Sequence, residues 1–544
     1  VSQLSLSFGT TAGELLTFDD LPPYQPQSAT VPQYVGGVAD AWSGEKFLGG
    51  FGVTRNFEIV DHWLIRKRSK QIFTENLYAR GLIRRLITNE INKGLALEAV
   101  PDADILGLDP ETLADWSERT ERRFAIYGKN PDICDYRQSR TFGALQRQAR
   151  LMAMVSGDVL VLLRQGPTGL PAVDLIDAEA VSTPLSDTML QAVKRRGNSV
   201  EHGVEIDPAG RHVAFFVQLK SGTWRRIPAK GPKTGRLQAW LYYGTERLID
   251  DVRGQSLLAL VLQSLREIDR YRDAEQRAAV INSMIAVWVE KGENKMSSLP
   301  LTGGATRRDT VTTQNDSGGR KDVQFSAHMP GMMFQEMQVG EKLQSYDTRR
   351  PNVNFGLFEA AVLSAVAWAN EIPPETFFLQ FQNNYSASRG ATNEFRMYLN
   401  KERARQGEEF DGPIYADWLL SEILNGSNDA PGFLDAWADP NKWDIYGAWI
   451  LSDWAGEIKP NVDLLKEVNA YKALVGEGFI TRDRASRELT GMKFSKVVQQ
   501  LMRENTQIAE ALEPLIAAGL VKDENPDYTP RDESMDEEEA GNGA

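Results

Sequence analysis

Asn370-Glu371-Ile372-Pro373-Pro374-Glu375, followed by Asn384-Tyr385-Ser386-Ala387-Ser388-Arg389, is the stretch on which the reading of this chain turns. Before it runs an apolar, alanine-rich segment, Phe355 to Ala369, with Phe358, Val362, Ala365, Val366 and Ala369 at helical spacing. Two consecutive prolines stop that helix, because proline lacks the N–H and disfavours helix in the residue before it. The run Phe377 to Tyr385 reads as a break rather than a continuation. Ser386 then supplies a capping hydroxyl, and a second helix is expected past Arg389, Phe395 and Leu399 to Leu424. Gly412-Pro413 lies inside it, so a kink is expected near 409–413.

Working back from this stretch, a strand at Val323–Phe325 precedes Pro330-Gly331. Residues 291–322 are polar and rich in glycine, with no apolar period; so long an excursion is functional or disordered. Gly254-Gln255-Ser256 is expected to open a long helix, with Ser256 as N-cap. Leu257, Val261, Leu265, Ile268, Arg272, Glu275 and Ala279, then Ile285 and Trp288, hold its period. Strands are expected at Asp158–Leu163, Val173–Ile176, Val213–Val217 and Leu237–Tyr243. Residues 62–93 show helical spacing, with Arg66, Lys67, Arg68, Lys70, Arg80, Arg84 and Arg85 on the polar face. That face is open to two readings, a solvated helix surface or a basic patch for DNA or a partner. Residues 1–50, with Leu21-Pro22-Pro23-Tyr24-Gln25-Pro26, read as an extended arm packing on a neighbour or a larger body.

Working forward, Trp437, Trp443, Trp449 and Trp454 crowd one span and suggest core or subunit-interface packing. Residues 461–520 read as a helical bundle, with Leu464, Leu465, Val468, Tyr471 and Leu474 on one face. Gly476 and Gly478 close that helix and Thr481 caps the next. Residues 523–544 form an acidic tail.

The totals restrict the function. A chain of 544 residues exceeds one core. No apolar run is long enough to span a membrane, and Val1–Thr10 lacks the pattern of a secretory signal. The single Cys134 forms no intrachain disulfide. A net charge of −14 argues against tight grip on many phosphates, but suits a wall along which DNA slides. Gly37 to Gly44-Glu45-Lys46 has the wrong spacing for a phosphate-binding loop, and no Gly-x-Ser-x-Gly elbow occurs. His62, His202, His212 and His328 are scattered, and Asp102-Ala103-Asp104 lacks the later ligands of a calcium loop. No catalytic residue, metal or cofactor is therefore expected.

Several blocks in order resemble the lambda-type family of tailed-phage portal proteins. They are Val323 to Gly331; Pro351, Phe358 and Ile372-Pro373-Pro374-Glu375; Tyr385-Ser386-Ala387-Ser388-Arg389 with Glu394; and Trp454, Pro460, Leu465-Lys466-Glu467-Val468, Gly478, Thr481, Glu488, Gly491, Gln500 and Glu504. Together they span about 55–510, more loosely in the N-terminal third. The resemblance implies an α+β ring subunit with a mixed α/β wing, helical stem, small clip and helical crown. The implied parts are an arm at 1–50, wing at 51–250, first stem helix at 251–290, clip at 291–330 and second stem-helix region at 331–371. They continue as a tunnel loop at 372–388, kinked helix and second wing part at 389–460, crown at 461–522 and a mobile tail at 523–544.

The same resemblance implies a ring of about twelve chains at a capsid vertex, with a combined charge of about −170. Double-stranded DNA would pass through non-specifically during packaging and ejection. The implied partners are the terminase large subunit, the major capsid and scaffold proteins and a head–tail adaptor, in a virion component made in the host cytoplasm. Gln380, Phe381, Gln382, Asn383, Asn384 and Tyr385 would form the tunnel loop, whose amides make only weak phosphate contacts. The loop lacks a lysine cluster, which speaks against strong retention of DNA there. Arg349 and Arg350 are open to two roles, touching DNA or pairing with a neighbour. Ser386 and Arg389 would be structural, as cap and as inter-helix or intersubunit pair. The competing readings are another virion connector or minor head protein, and a metal-dependent hydrolase with an unrecognised site.

Overall fold

The computed structural model describes residues 62–166, 168–247, 251–283, 287–291, 311–314, 320–323, 341–345, 355–379, 385–456 and 464–517. The chain is a mixture of helices and small antiparallel sheets. It divides into two compact units, one holding the residues up to Glu90 and Ile126–Tyr446, the other Ile91–Ala125 and the chain from Gly447.

A helical hub lies at the centre of the first unit. The helices Leu77–Glu90, Phe142–Ser156, Leu262–Ser283, Phe355–Ala369 and Tyr385–Gln406 send apolar side chains into one cluster. Leu82, Ile83, Leu86, Leu265 and Leu363 are almost completely enclosed there. Leu265 and Ile268 share this cluster with Leu363 and Val366, whereas Tyr271 lies 5.4 Å from the rings of both Phe355 and Phe358. The helices Leu262–Ser283 and Phe355–Ala369 are thus an antiparallel pair, rooted in the hub at one end.

The long helix begins at Leu262, not at Ser256. Ser256 Oγ accepts from the Leu258 N–H and donates to the Met154 carbonyl. The next residues follow i→i−3 turns, and the helix starts only after this anchored bend. The helix also stops earlier than its sequence period suggests. Trp288 belongs to the strand Val287–Lys291, which pairs antiparallel with Glu341–Ser345. Its Val-Trp-Val sequence favours the extended backbone. A second hairpin joins Val311–Gln314 to Arg320–Val323, which begins three residues before the expected strand and overlaps it at Val323.

The sheets of this unit follow the expected strands closely. Asp158–Gln165 lies between Pro171–Asp177 and Ala239–Tyr243, all antiparallel. A four-stranded meander, Ser199–Glu201, Val204–Ile206, His212–Gln218 and Trp224–Pro228, shares its apolar core. The expected kink is present as well. Between Tyr385–Gln406 and Gly412–Leu424, the backbone makes one π turn over Gly407–Asp411.

In the second unit, Ala96–Ala99 pairs antiparallel with Ser452–Ala455, and Trp116 meets Trp449 at 4.9 Å. Three helices follow, Leu464–Gly476, Arg482–Thr490 and Phe494–Ala517. Thr481 caps the second as expected, accepting the Arg484 N–H at 3.2 Å. The apolar face expected to close a bundle is open, with Leu465 74% exposed. The four tryptophans also part ways: Trp449, in this unit, is buried, whereas Trp443, in the first, is 73% exposed.

Candidate functional site

The segment 380–384, with Arg349 and Arg350, lies outside the described residues. Tyr385, Ser386 and Arg389 fall in the first turns of the Tyr385–Gln406 helix, where only the backbone is described. What the structure does define is the chain on either side of the segment.

On its N-terminal side, the Phe355–Ala369 helix ends in a tight turn. Asn370 N–H and Ile372 N–H both donate to the Ala367 carbonyl, and Glu371 takes φ +54°. Pro373 and Pro374 then open a five-residue helix, Pro374–Phe378, a position where proline's missing donor does no harm. Its closing residue, Leu379, is left-handed at φ +57°. The short helix is fixed by Phe377 and Phe378 against the hub and by Arg85 Nε, which donates to the Thr376 carbonyl at 3.4 Å.

On the C-terminal side, the Tyr385–Gln406 helix is bound by a buried ionic network. Arg150 Nε donates to Glu90 at 2.7 Å, its Nη2 to Glu402 at 2.7 Å, and its Nη1 to the Gly244 carbonyl at 3.0 Å. Arg150, Glu90 and Glu402 are each at most 6% exposed at the side chain. Burial opposes the Arg150 charge, but the paired carboxylates, Glu90 foremost, raise its pKa well above the usual value. Tyr398 donates to Glu90 at 3.1 Å, and burial raises its own pKa. Arg403 donates to the carbonyls of Glu90 and Asn89 at 2.8 and 3.0 Å, satisfying the C-terminal end of the Leu77–Glu90 helix. Lys401 reaches Glu371 at 3.4 Å, so one ion pair joins the two sides.

A second buried network secures the sheets to the hub. Arg253 holds both carboxylate oxygens of Asp158 at 2.8 Å, and Arg66 reaches Asp158 at 3.4 Å. Burial would raise the Asp158 pKa, but Arg253 and Arg66 hold it well below the carboxylate range. Gly157 and Gly254 let the backbones cross here, since a Cβ on either would come within 2.2 Å of the other's carbonyl oxygen.

Arg66 was expected on the polar face of 62–93, but it is buried. His62, Ile65, Arg66 and Ser69 form the inward face of the His62–Glu75 helix, and their i, i+3, i+4, i+7 spacing is the signal for it. Lys67, Arg68, Arg80 and Arg84 are exposed, as expected. Among the described residues, no group of three His, Cys, Asp or Glu side chains is placed to hold a metal ion. The arrangement fixes the chain on either side of residues 380–384.

Residues 54–403 match the family model described as phage portal protein, lambda family. The chain belongs to this family. Portal membership gives it a structural role at the capsid vertex of a tailed-phage virion, with the channel and docking functions that follow from the family. Among curated proteins, it is 20% identical to the portal protein of Escherichia phage N15 over 458 residues, covering 81% of this chain and 83% of that one. It is 19% identical to portal protein B of Escherichia phage lambda, with the same coverage. Among solved structures, it overlaps a chain from the neck of an empty GTA particle at 10% identity and TM-score 0.38, covering 77% and 92% of the two chains. A chain from the virion of a native gene transfer agent particle gives 11% identity and TM-score 0.37, with 77% and 91% covered. No helix among the described residues is long and apolar enough to cross a membrane.

Proposed function

We propose that this portal protein assembles as a closed ring of about twelve copies around an axial DNA channel. The observation that carries the reading is the uncovered apolar flank of the antiparallel helix pair. Leu357 is 74%, Phe358 53% and Trp368 84% exposed on the Phe355–Ala369 helix, although its inner face is packed into the hub. Apolar side chains on one helix face, exposed in the single chain, suit burial against the same pair in a neighbouring copy.

In this reading, Leu262–Ser283 and Phe355–Ala369 are the stem helices, and the strands between 287 and 345 belong to the clip, which receives the terminase and later the head–tail adaptor. The sheets of the first unit and the kinked helix form the wing, and the helices from Leu464 form the crown. The 380–385 segment is the tunnel loop, held at the channel by the pinned helices on both sides, with Arg349 and Arg350 close to it in function. Its amides and aromatics, together with the net charge of −14 per chain, favour sliding over gripping. Single-particle imaging with mass photometry tests the assembly. A ring of about twelve subunits with an open axial channel is expected. A stable monomer or dimer at high concentration would refute it.

A further inference from the structure

A groove of about 400 Å³ opens on the first unit, between the Gly412–Leu424 helix, the Phe433–Ala438 helix and the loop from Lys230. Pro413, Trp437, Pro440, Trp443 and Tyr446 line it. Of these, Trp443 is 73% exposed, a large apolar ring left facing water. Aromatic and proline rings set around a shallow slot are the surface that a polyproline II segment recognises. Proline rings stack on the aromatic faces, and indole N–H groups donate to a backbone that has no internal hydrogen bonds.

This chain contains a proline-rich sequence of the composition such slots take. Leu21-Pro22-Pro23-Tyr24-Gln25-Pro26 lies in the 61 residues that precede the first described helix. The 36 residues from Pro26 to His62 span up to about 120 Å when extended, enough to reach the groove. Charge also favours the match. Residues 1–45 hold Glu14, Asp19, Asp20, Asp40 and Glu45 and no lysine or arginine. The groove's loop reads Lys230-Gly231-Pro232-Lys233-Thr234-Gly235-Arg236, with both lysines exposed. The acids of the groove are already engaged: Asp417 pairs with Arg236 at 2.9 Å, and Asp439 accepts from Asn441 at 3.0 Å.

We propose that this groove is the docking site for the chain's own 21–26 segment. Pro22 and Pro23 lie against the indoles, and Asp19 and Asp20 lie towards Lys230 and Lys233. Docking covers Trp443 and ties the arm to the body near the π turn. The proposal stands whether or not the ring forms.

The test is photo-crosslinking in the full-length chain, with p-benzoylphenylalanine replacing Tyr24 and the crosslinked peptides mapped by mass spectrometry. Crosslinks are expected in 230–237 and 413–446, with a several-fold loss on adding Trp443→Ala. Lys230→Glu, which leaves the apolar wall intact, is expected to weaken them as well. Both positions are exposed, so the body keeps its fold, as a thermal melt will verify. Crosslinks confined to other faces, no crosslinks, or yields indifferent to both substitutions would overturn the proposal.

Discussion

The indole N–H of Trp240 donates to the Glu409 carbonyl at 2.8 Å. That oxygen is the one that Pro413, four residues on, would serve in a regular helix if it had an N–H. The π turn at Gly407–Asp411 therefore does not leave its carbonyl empty: the strand Ala239–Tyr243 satisfies it and fixes the bend to the sheet. Trp240→Phe is expected to destabilise the first unit by about 1–2 kcal/mol. Adding Pro413→Ala, which supplies a donor of its own, is expected to recover part of the loss. Urea unfolding of the two single variants and the double variant measures the coupling. Strict additivity would show that the two residues do not share this carbonyl.

The Arg150 network makes a stronger prediction. Arg150→Met leaves Glu90 buried without its guanidinium, while Glu402 keeps Arg405, and is expected to cost about 3–5 kcal/mol. Replacing the pair together, with Glu90→Gln added, is expected to cost less than Arg150→Met alone, because Glu402 stays paired with Arg405 and no unpaired charge remains buried. Chemical denaturation read by tryptophan fluorescence ranks the variants. If the double variant were the weaker, the Arg150–Glu90 pair would be worth more than the desolvation argument allows.

The expected strands and the proline-terminated helix were legible because they rest on local chemistry: Val and Leu alternation at 158–163, Pro373-Pro374, and Gly412-Pro413 inside an otherwise helical stretch. The networks were not. Arg150 and Arg253 look like any surface arginine until their partners, 60 to 252 residues away in the chain, are brought to them. The late start of the long helix has the same origin, since the Met154 carbonyl that anchors Ser256 is remote in sequence. The loop proposed for the channel was legible only through resemblance: its residues are amides and aromatics, with no pattern of their own.

Acidification is expected to weaken the first unit in two separate windows. Burial, then Arg247 and Arg253, pushes His212 down to about 4, and burial, then Arg66 and Arg253, lowers His62 well below its usual value. A histidine whose folded pKa lies below about 6.5 favours the neutral form, so its contribution is full above that pH and is lost on descent towards about 4. Asp158 has the depressed carboxylate pKa, so its contribution is full above about 3.9 and disappears only in stronger acid. His212→Gln is expected to flatten the decline between about pH 6.5 and 4 while leaving the steeper acid limb, which Asp158→Asn would remove. Midpoints of urea unfolding across this range decide it; an unchanged slope in His212→Gln would show that His212 is not held neutral.

Trp368 is 84% exposed, and Leu357, three turns earlier on the same helix, is 74% exposed. Neither belongs to the hub, which takes Leu363 and Val366 from the opposite side. Trp368→Glu and Leu357→Glu therefore place a charge where the single chain already meets water, and the monomer's melting temperature is expected to move by no more than a degree or two. In a ring, the same carboxylates would enter a desolvated apolar contact once per interface, at a cost repeated around the whole circle. Mass photometry is expected to show rings for the unmodified chain and mostly monomers for the double variant at equal concentration. Full rings from the double variant would move the subunit interface away from this helix and leave its apolar flank without an occupant.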